Sequence, residues 1–65
     1  MKKSTTEIRK TINRKLTEAR EARMFKDFDG CWALLEDAHV LSQPWAWLHV
    51  RVHGSMFVAA VMQRD

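Results

Sequence analysis

The chain has 65 residues, with 11 Lys/Arg against 8 Asp/Glu, a net charge of +3 and a single cysteine. That length allows one small domain, residues 1–65, in which folding hides only about 60% of the unfolded surface. Cys31 has no partner within the chain, which excludes an internal disulfide staple and points to a reducing, cytoplasmic setting. Extra support must come from oligomerisation, a partner or a metal.

Charge is divided unevenly: residues 1–26 sum to +6 and residues 27–65 to −3. The start is basic, but Glu7-Ile8-Arg9-Lys10 stands where a secretory leader needs an apolar run. Glu7, Glu18 and Glu21 also argue against an acid-poor transit peptide.

The first helix is expected over residues 5–24. Ser4 or Thr5 can cap it, with Glu7 placed as in a capping box. Ile8, Ile12, Leu16 and Ala19 form one apolar stripe, with Ala22 and Phe25 at its edge, so the helix packs on one side only. Arg14 and Glu18 stand four apart and can pair weakly.

Lys26-Asp27-Phe28-Asp29-Gly30 breaks the pattern, and Asp27 or Asp29 can cap a second helix over residues 28–41. Its core face holds Phe28, Cys31, Leu34, Leu35, Ala38 and Leu41. Trp32, Glu36 and His39 fall within an arc of about 60° beside that face. Ser42-Gln43-Pro44 ends the helix, because the residue before proline is pushed out of the helical region.

Pro44 suits the first turn of a third helix, expected over residues 44–62. One face carries Trp45, Leu48, Val52, Met56 and Ala59. A second carries Trp47, Val50, Phe57, Val58 and Val61, with Gly54 offering close approach to another backbone. A helix apolar on two faces asks for cover on both, which predicts self-association or a missing partner element. His49, Arg51, His53 and Ser55 interrupt the segment and exclude a membrane span of about 20 apolar residues. The fold class is therefore all-α: three helices in antiparallel hairpins.

A hairpin turning about residue 44 sets residues whose numbers sum to about 88 at one height, pairing His39 with His49 and Glu36 with His53. Glu-x-x-His facing further ligands on a neighbouring helix is the device of carboxylate-bridged metal sites in bundles. Three imidazoles and one carboxylate would suit zinc or a similar divalent ion. The other reading is a buried polar network, in which Glu36 orients an imidazole and Gln43 satisfies the turn. Cys31 reads as a buried structural thiol, and no nucleophile–base–orienter set is visible.

Leu35-Glu36-Asp37-Ala38-His39-Val40-Leu41-Ser42-Gln43-Pro44 followed by His49-Val50-Arg51-Val52-His53 resembles the small, mostly bacterial family called domain of unknown function 3703. The resemblance covers nearly the whole chain and implies that Glu36, His39, Gln43, His49 and His53 are family positions. It implies no activity. Members of that family usually continue beyond the equivalent of Asp65, so the resemblance also implies a shortened form. A weaker likeness links Lys26 to Pro44 with the turn and second helix of a tetratricopeptide repeat, and implies tetratricopeptide-like packing.

Three functions are weighed. The first is a cytoplasmic protein acting by self-association or protein–protein interaction, with Trp47, Val50, Gly54, Phe57 and Val61 as the interface, without catalysis. The alternative is divalent-metal binding by Glu36, His39, His49 and His53. Nucleic-acid binding is disfavoured, because Lys10, Arg14, Lys15, Arg20 and Arg23 are spread around the first helix and interleaved with Glu18 and Glu21.

Overall fold

In the computed structural model, which describes residues 5–64, two short turns separate three helices. They are α1 (Thr5–Met24), α2 (Phe28–Ser42) and α3 (Ala46–Arg64), and no strand occurs among the described residues. Ser4, one of the two expected caps of α1, lies outside the described residues.

The first turn is built by backbone capping. Lys26 takes a left-handed conformation, φ 62°. The N–H groups of Lys26 and Asp27 then donate to the carbonyls of Arg23 and Ala22 at 2.9 and 2.8 Å. This is the double closure that satisfies the last carbonyls of a helix. Asp27 also caps α2, its Oδ1 accepting from Gly30 N–H at 3.0 Å. Of the two aspartates proposed as caps, Asp27 does this work and Asp29 sits inside the first turn.

The second turn corrects the expected start of α3. Trp45 N–H donates to Ser42 O, closing a tight turn around Gln43 and Pro44, and Trp45 O accepts from His49 N–H. Pro44 is thus used in the connection, and the helix begins at Ala46.

The three apolar stripes meet in two groups of buried residues. One contains Ile12, Ala38, Leu48 and Val52; the other contains Ala19, Cys31, Leu35 and Ala59. Leu16 and Met56 pack against both and join them. Phe25, expected at the edge of the α1 stripe, is instead exposed in the turn that follows α1. Polar ties add to the packing: Trp32 Nε1 donates to Gln63 Oε1 at 2.7 Å, and Lys15 pairs with Asp37 at 3.4 Å. The Arg14–Glu18 pair forms at 3.6 Å on an exposed face, where it is worth a few tenths of a kcal/mol.

The second face of α3 is left in water. Trp47 is 79% exposed, Val50 62%, Phe57 70% and Val61 44%. No helix among the described residues is long and apolar enough to cross a membrane.

Candidate metal centre

His39 lies near the end of α2, and His49 and His53 stand one turn apart on the first half of α3. Each follows a buried residue: Ala38, Leu48 and Val52 belong to one apolar group, so its packing fixes the backbone from which all three imidazoles project. Ser42 Oγ donates to His39 O at 3.0 Å, which ties the last turn of α2 under the first imidazole.

The rings converge. His49 Nε2 lies 2.9 Å from His39 Nε2 and 3.2 Å from His53 Nε2. Ring centroids are 4.5 to 4.8 Å apart, and each ring offers a nitrogen within 4.8 Å of the other two. A tetrahedral ion with Zn–N bonds of about 2.0–2.1 Å holds its nitrogens about 3.3–3.4 Å apart, so this spacing is close to that of a ligand set.

Hydrogen bonding alone serves the three atoms poorly. A neutral imidazole nitrogen has one N–H or one lone pair, so His49 Nε2 can bond one neighbour well but not both. A cation at the centre would use all three lone pairs at once. His49 has its pKa held below the ordinary value, first by burial and then by the charges of His53 and His39. The neutral, ligating form is therefore favoured.

The expected cluster was a buried Glu/His set, and the structure corrects it. His39 and His49 are half-buried, while His53 and Glu36 are exposed. Glu36 makes no hydrogen bond or ion pair among the described residues and stands outside the group of converging side chains. The reason is rotational: His53 turns towards His49 on its own helix, so the second rung with Glu36 does not form. Gln43 is also exposed, and the buried polar residue at the turn is its neighbour Ser42.

Sequence reasoning missed a groove of about 500 Å³ between α1 and α3. Arg20, Arg23 and Arg51 line it, with Cys31 and Leu35 among the α2 residues. Arg20 and Arg23 are neighbours on α1 but Arg51 comes from α3, and each reads as a solvated charge, so no spacing signalled the groove.

The family model described as "Protein of unknown function (DUF3703)" matches residues 6–65. The chain belongs to this family. The span matched contains all three converging histidines, and the DUF3703 description states no activity for them. No curated protein and no solved structure matches the chain.

Proposed function

We propose that this chain binds a divalent metal ion of the zinc type through His39, His49 and His53. The observation behind this reading is the convergence of the three Nε2 atoms, at 2.9 and 3.2 Å, from two helices pinned by one core. Three imidazoles leave one position of a tetrahedral ion for water or an incoming group. Glu36, one turn before His39, would add negative charge near the ion. The test is metal analysis of protein purified without a histidine tag, together with melting in added zinc. One ion per chain and a raised melting temperature are expected; no bound metal and an unchanged melting temperature would overturn the reading.

A second reading, self-association through α3, has its own support. Trp47, Val50, Gly54, Phe57 and Val61 repeat at spacings of three and four, the period of a helix–helix seam. A Cβ at Gly54, mid-seam, would meet nothing within 4 Å, which leaves room for a second backbone. A two-fold axis through Gly54 would set Trp47 against Val61 and Val50 near Phe57, large against small. Sedimentation of Val50→Asp beside the native chain tests it: a native dimer and a monomeric variant are expected, and a native monomer at micromolar concentration removes the idea.

The same reading takes the helices as antiparallel, tetratricopeptide-like hairpins. Contacts such as Lys15–Asp37, His39–His49 and Trp32–Gln63 support that order. A cytoplasmic setting is supported by the lone, buried Cys31. The pairing of Lys15 with Asp37 and of Arg14 with Glu18 counts against a phosphate-binding face on α1.

A further inference from the structure

We propose that the groove between α1 and α3 binds a small organic anion: a carboxylate or phosphate group joined to an apolar body. The groove lies away from the histidines. Arg51 sits roughly 160–200° around α3 from His49 and His53, so the two sites occupy opposite flanks of one helix.

Three observations converge on an anion. Arg20, Arg23 and Arg51 all line the groove, and no carboxylate among the described residues does. Arg23 Nε is buried and has no hydrogen-bond partner among the described residues. A buried donor without an acceptor is rare and costly, more so on a charged group, and an oxyanion is the acceptor whose geometry a guanidinium matches. Arg51 is already oriented, donating to Asn13 Oδ1, another lining residue. A ligand would therefore meet one guanidinium held in place and a second with a donor to spare.

Leu16, Ala19 and Val58 give the groove an apolar side that suits an apolar body, beside the polar Asn13, Thr17 and Ser55 and with the buried Cys31 and Leu35 as its α2 members. Burial pushes the Cys31 thiol up in pKa, with Arg23 acting against that rise, so the floor stays neutral while the cation stands beside it. A volume of about 500 Å³ lies within the ordinary range for small-molecule sites. Inorganic phosphate would satisfy the guanidinium and leave this apolar surface uncovered.

The test follows the Arg23 Nε–H resonance by ¹⁵N NMR in the presence of a chelator, so that no metal contributes. Phenyl phosphate, benzoate and inorganic phosphate are added separately, with the exposed Arg14 as internal control. Saturable movement of the Arg23 signal by phenyl phosphate or benzoate, and tighter than by inorganic phosphate, is the expected result. The exposed-site variant Arg51→Gln, which keeps the Arg23 signal, should weaken binding by about tenfold or more, the usual size of a charge-assisted hydrogen bond. No saturable shift at up to about 10 mM, a millimolar limit worth only some 3 kcal/mol, would overturn the proposal. So would equal movement of Arg14 and Arg23, which reports general screening, or inorganic phosphate binding as tightly as the aryl anions.

Discussion

His39 and His49 face each other across the α2–α3 turn with their Nε2 atoms 2.9 Å apart. The turn between them is closed by Trp45 N–H donating to Ser42 O at 2.9 Å, which holds the pair in register. His53 joins from the next turn of α3.

The three histidines should not be equivalent for zinc. His49 touches both others, whereas His53 is exposed and touches the pair from the edge. Zinc at a hundred times its dissociation constant stabilises by about 2.7 kcal/mol, which raises the melting temperature of so small a domain by roughly 10–20 °C. His49→Ala should abolish that rise, and His53→Ala should leave part of it. Differential scanning fluorimetry with and without zinc compares them; a full rise in His49→Ala would sink the assignment.

Metal-free protein should lose stability as pH falls. Burial and the facing imidazoles of His39 on α2 and His53 on α3 lower the pKa of His49 in the folded state. The unfolded chain then binds more protons below about pH 6.5, so stability is flat above that pH and declines beneath it, levelling off below the folded pKa. Urea midpoints in chelator at successive pH values between about 8 and 5.5 measure this. His49→Gln should flatten the curve, and a midpoint that rises on acidification would contradict the sign.

The α1–α2 turn can be improved at one residue and damaged at the next. Lys26 holds φ 62°, a left-handed backbone that costs a non-glycine residue about 1 kcal/mol. Lys26→Gly should therefore stabilise by about 0.5–1 kcal/mol even after the added freedom of the unfolded chain. Asp27→Ala removes the cap on Gly30 and should cost about 1 kcal/mol. Chemical denaturation of the two variants should move the midpoint in opposite directions.

Core and surface apolar residues should respond very differently. Leu35 is fully buried, and Leu35→Ala should cost about 2–5 kcal/mol. A chain of 65 residues has roughly 3–10 kcal/mol in total, so this variant loses much or all of its cooperative unfolding. Phe57 is larger but exposed, and Phe57→Ser in dilute protein should change stability by less than about 0.5 kcal/mol. A loss at Phe57 as large as at Leu35, seen by circular dichroism in urea, would mean that the α3 face is covered even in dilute solution.

Much of this arrangement was legible in the residue pattern. The stripes Ile8-Ile12-Leu16-Ala19 and Trp45-Leu48-Val52-Met56-Ala59 supply buried or half-buried positions, because an amphipathic helix in so small a chain has one direction in which to hide its apolar side. The His39–His49 pair was legible too, since a tight turn at a lone proline leaves little freedom in how its two helices are aligned. Glu36 and Gln43 were misplaced because helical spacing names a side of the helix but not the depth at which a flexible side chain ends. The Arg23 groove was not legible at all: it depends on how far α1 and α3 stand apart over α2.

What the residues determined by themselves is local. Periodicity, the Asp27 cap and the proline punctuation decide that there are three helices and which side of each is apolar, since these depend only on chain geometry over a few residues. What only the tertiary structure decided is rotational and relative: that His53 turns to His49 and away from Glu36, that Ser42 is the buried polar residue at the turn, and that three arginines share one groove. Those outcomes depend on the packing of side chains from different helices, where a rotation of a few tens of degrees chooses which groups meet.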